Sequence, residues 1–113
     1  SKVLVMGATF KEDVEDIRNS KVADVVSEFK SYGVNVEVTD PYANSDELMH
    51  EYGYDLVPSI GKNYDAVVVA VNHKPYMSYD EKYFQSICAS DAVIVDLKGI
   101  LRGKIKTLNY WSL

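Results

Sequence analysis

Ala66-Val67-Val68-Val69-Ala70-Val71 is the stretch from which the fold can be read. It is rich in branched residues and apolar at odd and even positions alike, so neither face is suited to water; such a run fits a strand covered on both sides, in the middle of a parallel sheet. Val3-Leu4-Val5-Met6, ending in Gly7, repeats the pattern near the start of the chain and reads as the first, central strand. Ala92-Val93-Ile94-Val95-Asp96-Leu97 closes the series. Between these runs the period changes. Val22, Val25, Val26 and Phe29 fall at helical spacing within Ser20 to Tyr32, and Gly33 follows where a left-handed C-cap is wanted.

Val34, Val36 and Val38 alternate with Asn35, Glu37 and Thr39 before Asp40-Pro41, which predicts a half-covered strand nearer an edge. Ser45 to Tyr52 reads as a short helix. Asp55-Leu56-Val57 is a brief strand that Pro58 ends, hence outermost. Tyr79, Tyr83, Phe84 and Ile87 mark a helix between the last two strands. Strands alternating with helices imply parallel pairing and right-handed crossovers. The expected fold is therefore α/β: a Rossmann-like, doubly wound, five-stranded parallel sheet of order 3-2-1-4-5, formed by one domain over residues 1–113.

The 113 residues, 47% hydrophobic and 26% charged, are enough for one core and exclude wholesale disorder or a coiled coil. A formal charge of -5 repels a phosphate backbone over most of the surface, which argues against a nucleic-acid module. The apolar run Ala66 to Val71 is far short of the roughly 20 residues a membrane-spanning helix needs. A single cysteine, Cys88, can form no internal disulfide, and no signal-peptide pattern is present, so the cytoplasm is the expected compartment. A chain that opens on Ser1-Lys2 and enters a strand at once reads as a piece excised from a larger protein.

Ligands of such sheets sit outside the carboxyl ends of the strands, where strand order reverses. The segment after the first strand, Gly7 to Ser20, has only Gly7 and lacks the G-x-G-x-x-G of a dinucleotide site. Asp40 imitates the ribose-binding acid of that motif, but without the glycines it reads as a turn residue before Pro41. Lys11 and Arg18 could neutralise diphosphate oxygens, or pair with the surrounding Glu12, Asp13, Glu15 and Asp16. Phe10 could stack on a base or plug the core. His73, in Asn72-His73-Lys74-Pro75-Tyr76, is a candidate for lining the cleft; His50 is read as a surface residue. Cys88, beside Ile87 in the helical stripe, reads as a small core residue and not as a nucleophile.

Thr9-Phe10-Lys11-Glu12-Asp13, then Asp16-Ile17-Arg18-Asn19-Ser20, then Asp40-Pro41 resemble the C-terminal, UDP-binding domain of the UDP-glucose/GDP-mannose dehydrogenase family. The resemblance implies that Phe10 and Lys11 contact the nucleotide-sugar and that Arg18 reaches NAD held by an N-terminal domain. Asn19 and Ser20 would cap the following helix, worth about 1 kcal/mol. After the last strand, Asp96-Leu97-Lys98-Gly99 stands where UDP-glucose dehydrogenases carry Asp-Gly-Arg; Lys98 keeps the UDP-binding charge without the fork, a departure similar to relatives acting on UDP-N-acetylhexosamines. The implied full-length enzyme oxidises the C6 alcohol of a UDP-sugar to a carboxylate with two NAD and a cysteine-bound intermediate, works as a homo-oligomer, and serves polysaccharide biosynthesis. On this chain no catalytic residue and no metal ligand is expected, and the fragment alone should be inactive. Two other classes remain. A phosphoacceptor signalling module would need a phosphorylatable Asp after the third strand, where Val57-Pro58-Ser59 stands. A non-catalytic interaction or oligomerisation domain would use the tail Tyr110-Trp111, unless Trp111 packs on its own domain.

Overall fold

Leu4, Val5 and Met6 have no exposed surface, because the strand that carries them is covered on both faces. In the computed structural model, which describes residues 2–9 and 21–112, this strand is β1 (Lys2–Met6). It is followed by α1 (Val22–Ser31), β2 (Asn35–Thr39), α2 (Ser45–Tyr52), β3 (Tyr64–Val69), a 3-10 turn (Lys74–Ser78), α3 (Glu81–Ile87), β4 (Cys88–Asp96) and β5 (Asn109–Ser112). The strands lie in the order β2-β1-β3-β4-β5, and every neighbouring pair is parallel.

The period-2 geometry of a strand divides the core. Val3, Val5, Val38 and Val68 meet Val22 and Val26 of α1 and Leu48 of α2 on one face. Leu4, Met6, Val67, Val69 and Ile94 meet Phe84 and Ile87 of α3, with Tyr76, on the other. Helices on both faces make the sheet doubly wound, as expected from the strand and helix periods. The helix ends follow their sequence signals. Gly33 (φ 75°) ends α1 with Gly33 N–H donating to Lys30 O and Val34 N–H to Phe29 O, the paired bonds of a glycine C-cap. Asn44 and Asp80 cap α2 and α3 by accepting from Glu47 N–H and Tyr83 N–H.

The strands expected in the order 2-1-4-5 are β2, β1, β3 and β4. The segment expected as the outermost strand does lie against β2, since Val57 N–H donates to Val38 O at 2.9 Å, but residues 55–57 form no strand. Pro58 follows directly and can donate no ladder bond. The fifth strand is instead β5, at the opposite edge, in the tail read from sequence only as an aromatic contact. Glu81 holds it there: Oε2 accepts the N–H groups of Lys106, Thr107 and Leu108 at 2.8, 2.7 and 3.0 Å. Tyr110 packs on the second core cluster, while Trp111 remains 50% exposed. Cys88 is a correction too: it opens β4 instead of lying within α3, yet it still packs on the core.

Candidate ligand cleft at the carboxyl ends of the strands

Where β1 ends, the chain can leave the sheet only through a glycine. Gly7 has φ 106°, and a Cβ there would lie 2.7 Å from Val71 Cβ and 2.9 Å from Val71 N. The exits of β1 and β3 are therefore in backbone contact. Gly7 N–H reaches Thr39 O at 2.8 Å and Ala70 N–H reaches Met6 O at 2.9 Å, extending the ladders past the strands. In sequence, the segment from Gly7 to Ser20 holds no second glycine, so the G-x-G-x-x-G of a dinucleotide pyrophosphate turn is missing here.

Asp40 stands just past β2. Its Oδ1 accepts Tyr42 N–H and Ala43 N–H at 2.7 and 2.9 Å, the turn role read from Asp40-Pro41. Its Oδ2 accepts Ala8 N–H at 2.6 Å and lies 2.8 Å from His73 Nε2. Burial opposes ionisation of this carboxyl, but the hydrogen bonds from His73, Ala8, Tyr42 and Ala43 outweigh it and hold its pKa below the ordinary value. His73 Nε2 also lies 3.0 Å from Thr9 Oγ1. His73 has no exposed surface. Sequence reading placed His73 at the right end of the sheet, but its link to Asp40 and Thr9 spans 33 and 64 residues and left no local signal.

Asp96, the last residue of β4, is buried and arranges the turn after it. It accepts Ile100 N–H at 3.2 Å, Leu101 N–H at 2.8 Å and the Tyr110 hydroxyl at 2.6 Å. That turn presents Lys98 on a cleft of about 220 Å³ lined by Lys21, Val22, Val25, Ala70, Leu97 and Lys98. Two exposed ammonium groups thus flank an apolar floor between the start of α1 and the exits of β3 and β4. Lys21 was not singled out from sequence; its position directly before the first apolar residue of a helix was the available signal. The volume falls below the roughly 300–1,000 Å³ of a small-molecule pocket. A larger hollow of about 390 Å³ lies against Asp24, Val25, Glu28, Phe29 and Tyr32 of α1, but its two carboxylates suit no anion.

Phe10, Lys11 and Arg18 lie outside the described residues, as do Asn19 and Ser20. Among the described residues no cluster of His, Cys, Asp and Glu could hold a metal ion, and no helix is long and apolar enough to cross a membrane. Burial pushes the Cys88 thiol up to about 11, away from the thiolate a nucleophile needs.

Residues 4–103 match the UDP binding domain of the UDP-glucose/GDP-mannose dehydrogenase family. A UDP-N-acetyl-D-glucosamine 6-dehydrogenase of Pseudomonas aeruginosa is 39% identical over 103 residues, covering 89% of this chain and 24% of the relative. One of Salmonella typhi is 36% identical over 102 residues, again 89% of this chain and 24% of the relative. The chain therefore spans about a quarter of the curated relatives it matches. Among solved structures, an NDP-N-acetyl-D-galactosaminuronic acid dehydrogenase of Methanosarcina mazei superposes with a TM-score of 0.84 at 25% identity, over 99% of this chain and 24% of that one. A UDP-N-acetyl-mannosamine dehydrogenase of Staphylococcus aureus gives 0.77 at 23% identity, over 98% and 26%, which supports the fold alone. The chain belongs to the UDP-glucose/GDP-mannose dehydrogenase family and corresponds to its UDP binding domain.

Proposed function

We propose that this chain grips the UDP part of a UDP-sugar within an NAD-dependent UDP-sugar 6-dehydrogenase that oxidises the C6 alcohol to a carboxylate, forming a UDP-uronic acid. The observation that carries the reading is the pair Lys21 and Lys98 flanking an apolar cleft at the strand ends of a UDP binding domain. Lys98 supplies a point charge to the diphosphate, and Phe10 and Lys11, by resemblance, complete the grip. The names of the relatives favour an acetamido sugar.

NAD would accept the electrons, bound mainly by another domain of the full-length protein, with Arg18, by resemblance, reaching across from this one; the missing second glycine after Gly7 supports that division. By resemblance the covalent step belongs to a cysteine outside this chain, a reading the raised Cys88 thiol supports, and the fragment alone is expected to catalyse nothing. What this domain contributes is orientation: a diphosphate held on a fixed wall places C6 near the reacting groups. By resemblance the whole enzyme is a cytoplasmic homo-oligomer in polysaccharide biosynthesis. The competing reading, a non-catalytic interaction domain, draws on half-exposed Trp111.

Amide NMR of the chain titrated with UDP at low salt tests the proposal. Shifts should cluster after β1, β3 and β4 and weaken in Lys11→Ala and Lys98→Ala, with self-association unchanged. No shifts at millimolar UDP, together with Trp111-dependent self-association, would favour the interaction domain.

A further inference from the structure

Tyr54 is buried, at 4% exposure, and its hydroxyl has no hydrogen-bond partner among the described residues. Asp40 is near enough for its charge to bear on this phenol, but it has no capacity left to accept. Its two oxygens already take the N–H groups of Ala8, Tyr42 and Ala43 and face His73. Burial first, then electrostatic repulsion from Tyr52 and Asp40, push the phenol pKa up to about 12, so at neutral pH the hydroxyl keeps its proton and remains a donor. A buried donor left without an acceptor costs free energy, and the acceptor that removes this cost can come from outside the chain, as an ion or a water.

Tyr54 also lines a hollow of about 140 Å³ between α1 and the turn that ends α2. Gly53 makes that turn: at φ 78° it closes α2 with its N–H on Met49 O, and Tyr54 then joins the core cluster of Val22 and Val26. Ser27 and Lys30, one turn apart on α1, are exposed and form the rim, with Lys30 Nζ 6.0 Å from the centroid of the Tyr54 ring. Among the described residues no carboxylate lines the hollow, and it shares no lining residue with the cleft of Lys21 and Lys98. An ammonium, a seryl hydroxyl and a phenol therefore meet at one place, a set of donors suited to an acceptor-rich group. The volume is close to the roughly 150 Å³ of a cavity that holds one benzene, which admits a phosphate or a short carboxylate and not a nucleotide-sugar. We propose that this hollow binds a small oxyanion, a phosphate or carboxylate group, with Lys30 supplying the charge and the Tyr54 hydroxyl the buried donor.

The test titrates the chain with inorganic phosphate, and separately with sodium acetate, at an ionic strength held constant with chloride, and follows the amides by NMR. Saturable shifts should appear at residues 23–30 and 52–54 with at least one of the two anions, and the tighter binder assigns the group as phosphate or carboxylate. Lys30→Gln, a surface change that leaves the core intact, should weaken this binding about tenfold. Tyr54→Phe should weaken it roughly three- to tenfold, the effect of one hydrogen bond. Melting curves separate the ion from a trapped water. Without either anion Tyr54→Phe should melt no lower than the wild type, because the hydroxyl it removes has no bond to lose; with the anion the wild type should gain more than the variant. Absence of saturable shifts with both anions, or wild-type binding in Lys30→Gln or Tyr54→Phe, overturns the inference. So does an anion-free Tyr54→Phe that melts clearly lower, the sign of a hydroxyl already bonded to buried water.

Discussion

Asp40 and Asp96 stand at the ends of β2 and β4, and both are buried carboxylates that accept two backbone amides from the turn they begin. They differ in where the rest of their bonding capacity goes. Asp96 adds the Tyr110 hydroxyl, 14 residues on, and so ties its own turn to the edge strand β5. Asp40 adds Ala8 N–H and His73, 32 and 33 residues away, and so ties the exits of three strands together. The same acceptor chemistry is local in one case and long-range in the other. Damage at Asp96 should stay at the Lys98 turn and the sheet edge, whereas damage at Asp40 should spread across the reversal point of the sheet.

The severest way to break this comparison is Asp40→Ala. It leaves the amides of Ala8, Tyr42 and Ala43 and the His73 imidazole without their acceptor, at a cost of about 3–5 kcal/mol. Urea denaturation measures it, and a loss under about 1 kcal/mol would show that Asp40 carries no long-range load. Gly7→Ala probes the same junction through the backbone. A left-handed φ for alanine and a clash with Val71 together predict about 2–4 kcal/mol, read from the same denaturation midpoint.

Tyr110→Phe probes the other region. Loss of the hydroxyl from Asp96 should cost about 1–2 kcal/mol, with faster amide exchange in β5 and residues 97–101 and unchanged exchange in β1. Faster exchange in β1 would erase the distinction between the two aspartates. Acid sharpens it further. The folded pKa of Asp40 lies below its ordinary 3.8, so its contribution is fully present above that value and is lost as pH falls through the lowered one. Glu81, held near 2 by the amides of Leu108, Thr107 and Lys106, should also stay ionised below pH 4. Carboxyl carbon shifts followed by NMR from pH 5 downward should show both titrating late; either titrating at its ordinary value would remove the geometry claimed for it.

The central strands were legible because a strand covered on both faces must be apolar at every position, and that pattern is written locally in Val3 to Met6 and Ala66 to Val71. Gly33 was legible as a cap for an equally local reason. β5 was not. Asn109–Ser112 has neither a full alternation nor an apolar run, and its register comes from β4 and from Glu81, whose bonded amides are 25 to 27 residues away. Residues 55–57 show the reverse: an apolar pair before proline looks like a strand, but strand character needs a ladder, and here β2 receives a single bond from Val57.

For the candidate site, the sequence by itself determined which cations could meet a phosphate, because charge is a property of Lys11, Arg18 and Lys98 as residues and their place after strands follows from chain order. It also determined the family, through spacings carried along the chain. Only the tertiary structure decided that Lys21 joins Lys98 on one cleft and that His73 turns inward to Asp40 and Thr9. The direction of a side chain and the identity of its partner are set by whichever strand exits the sheet beside it, and that neighbour is distant in the chain.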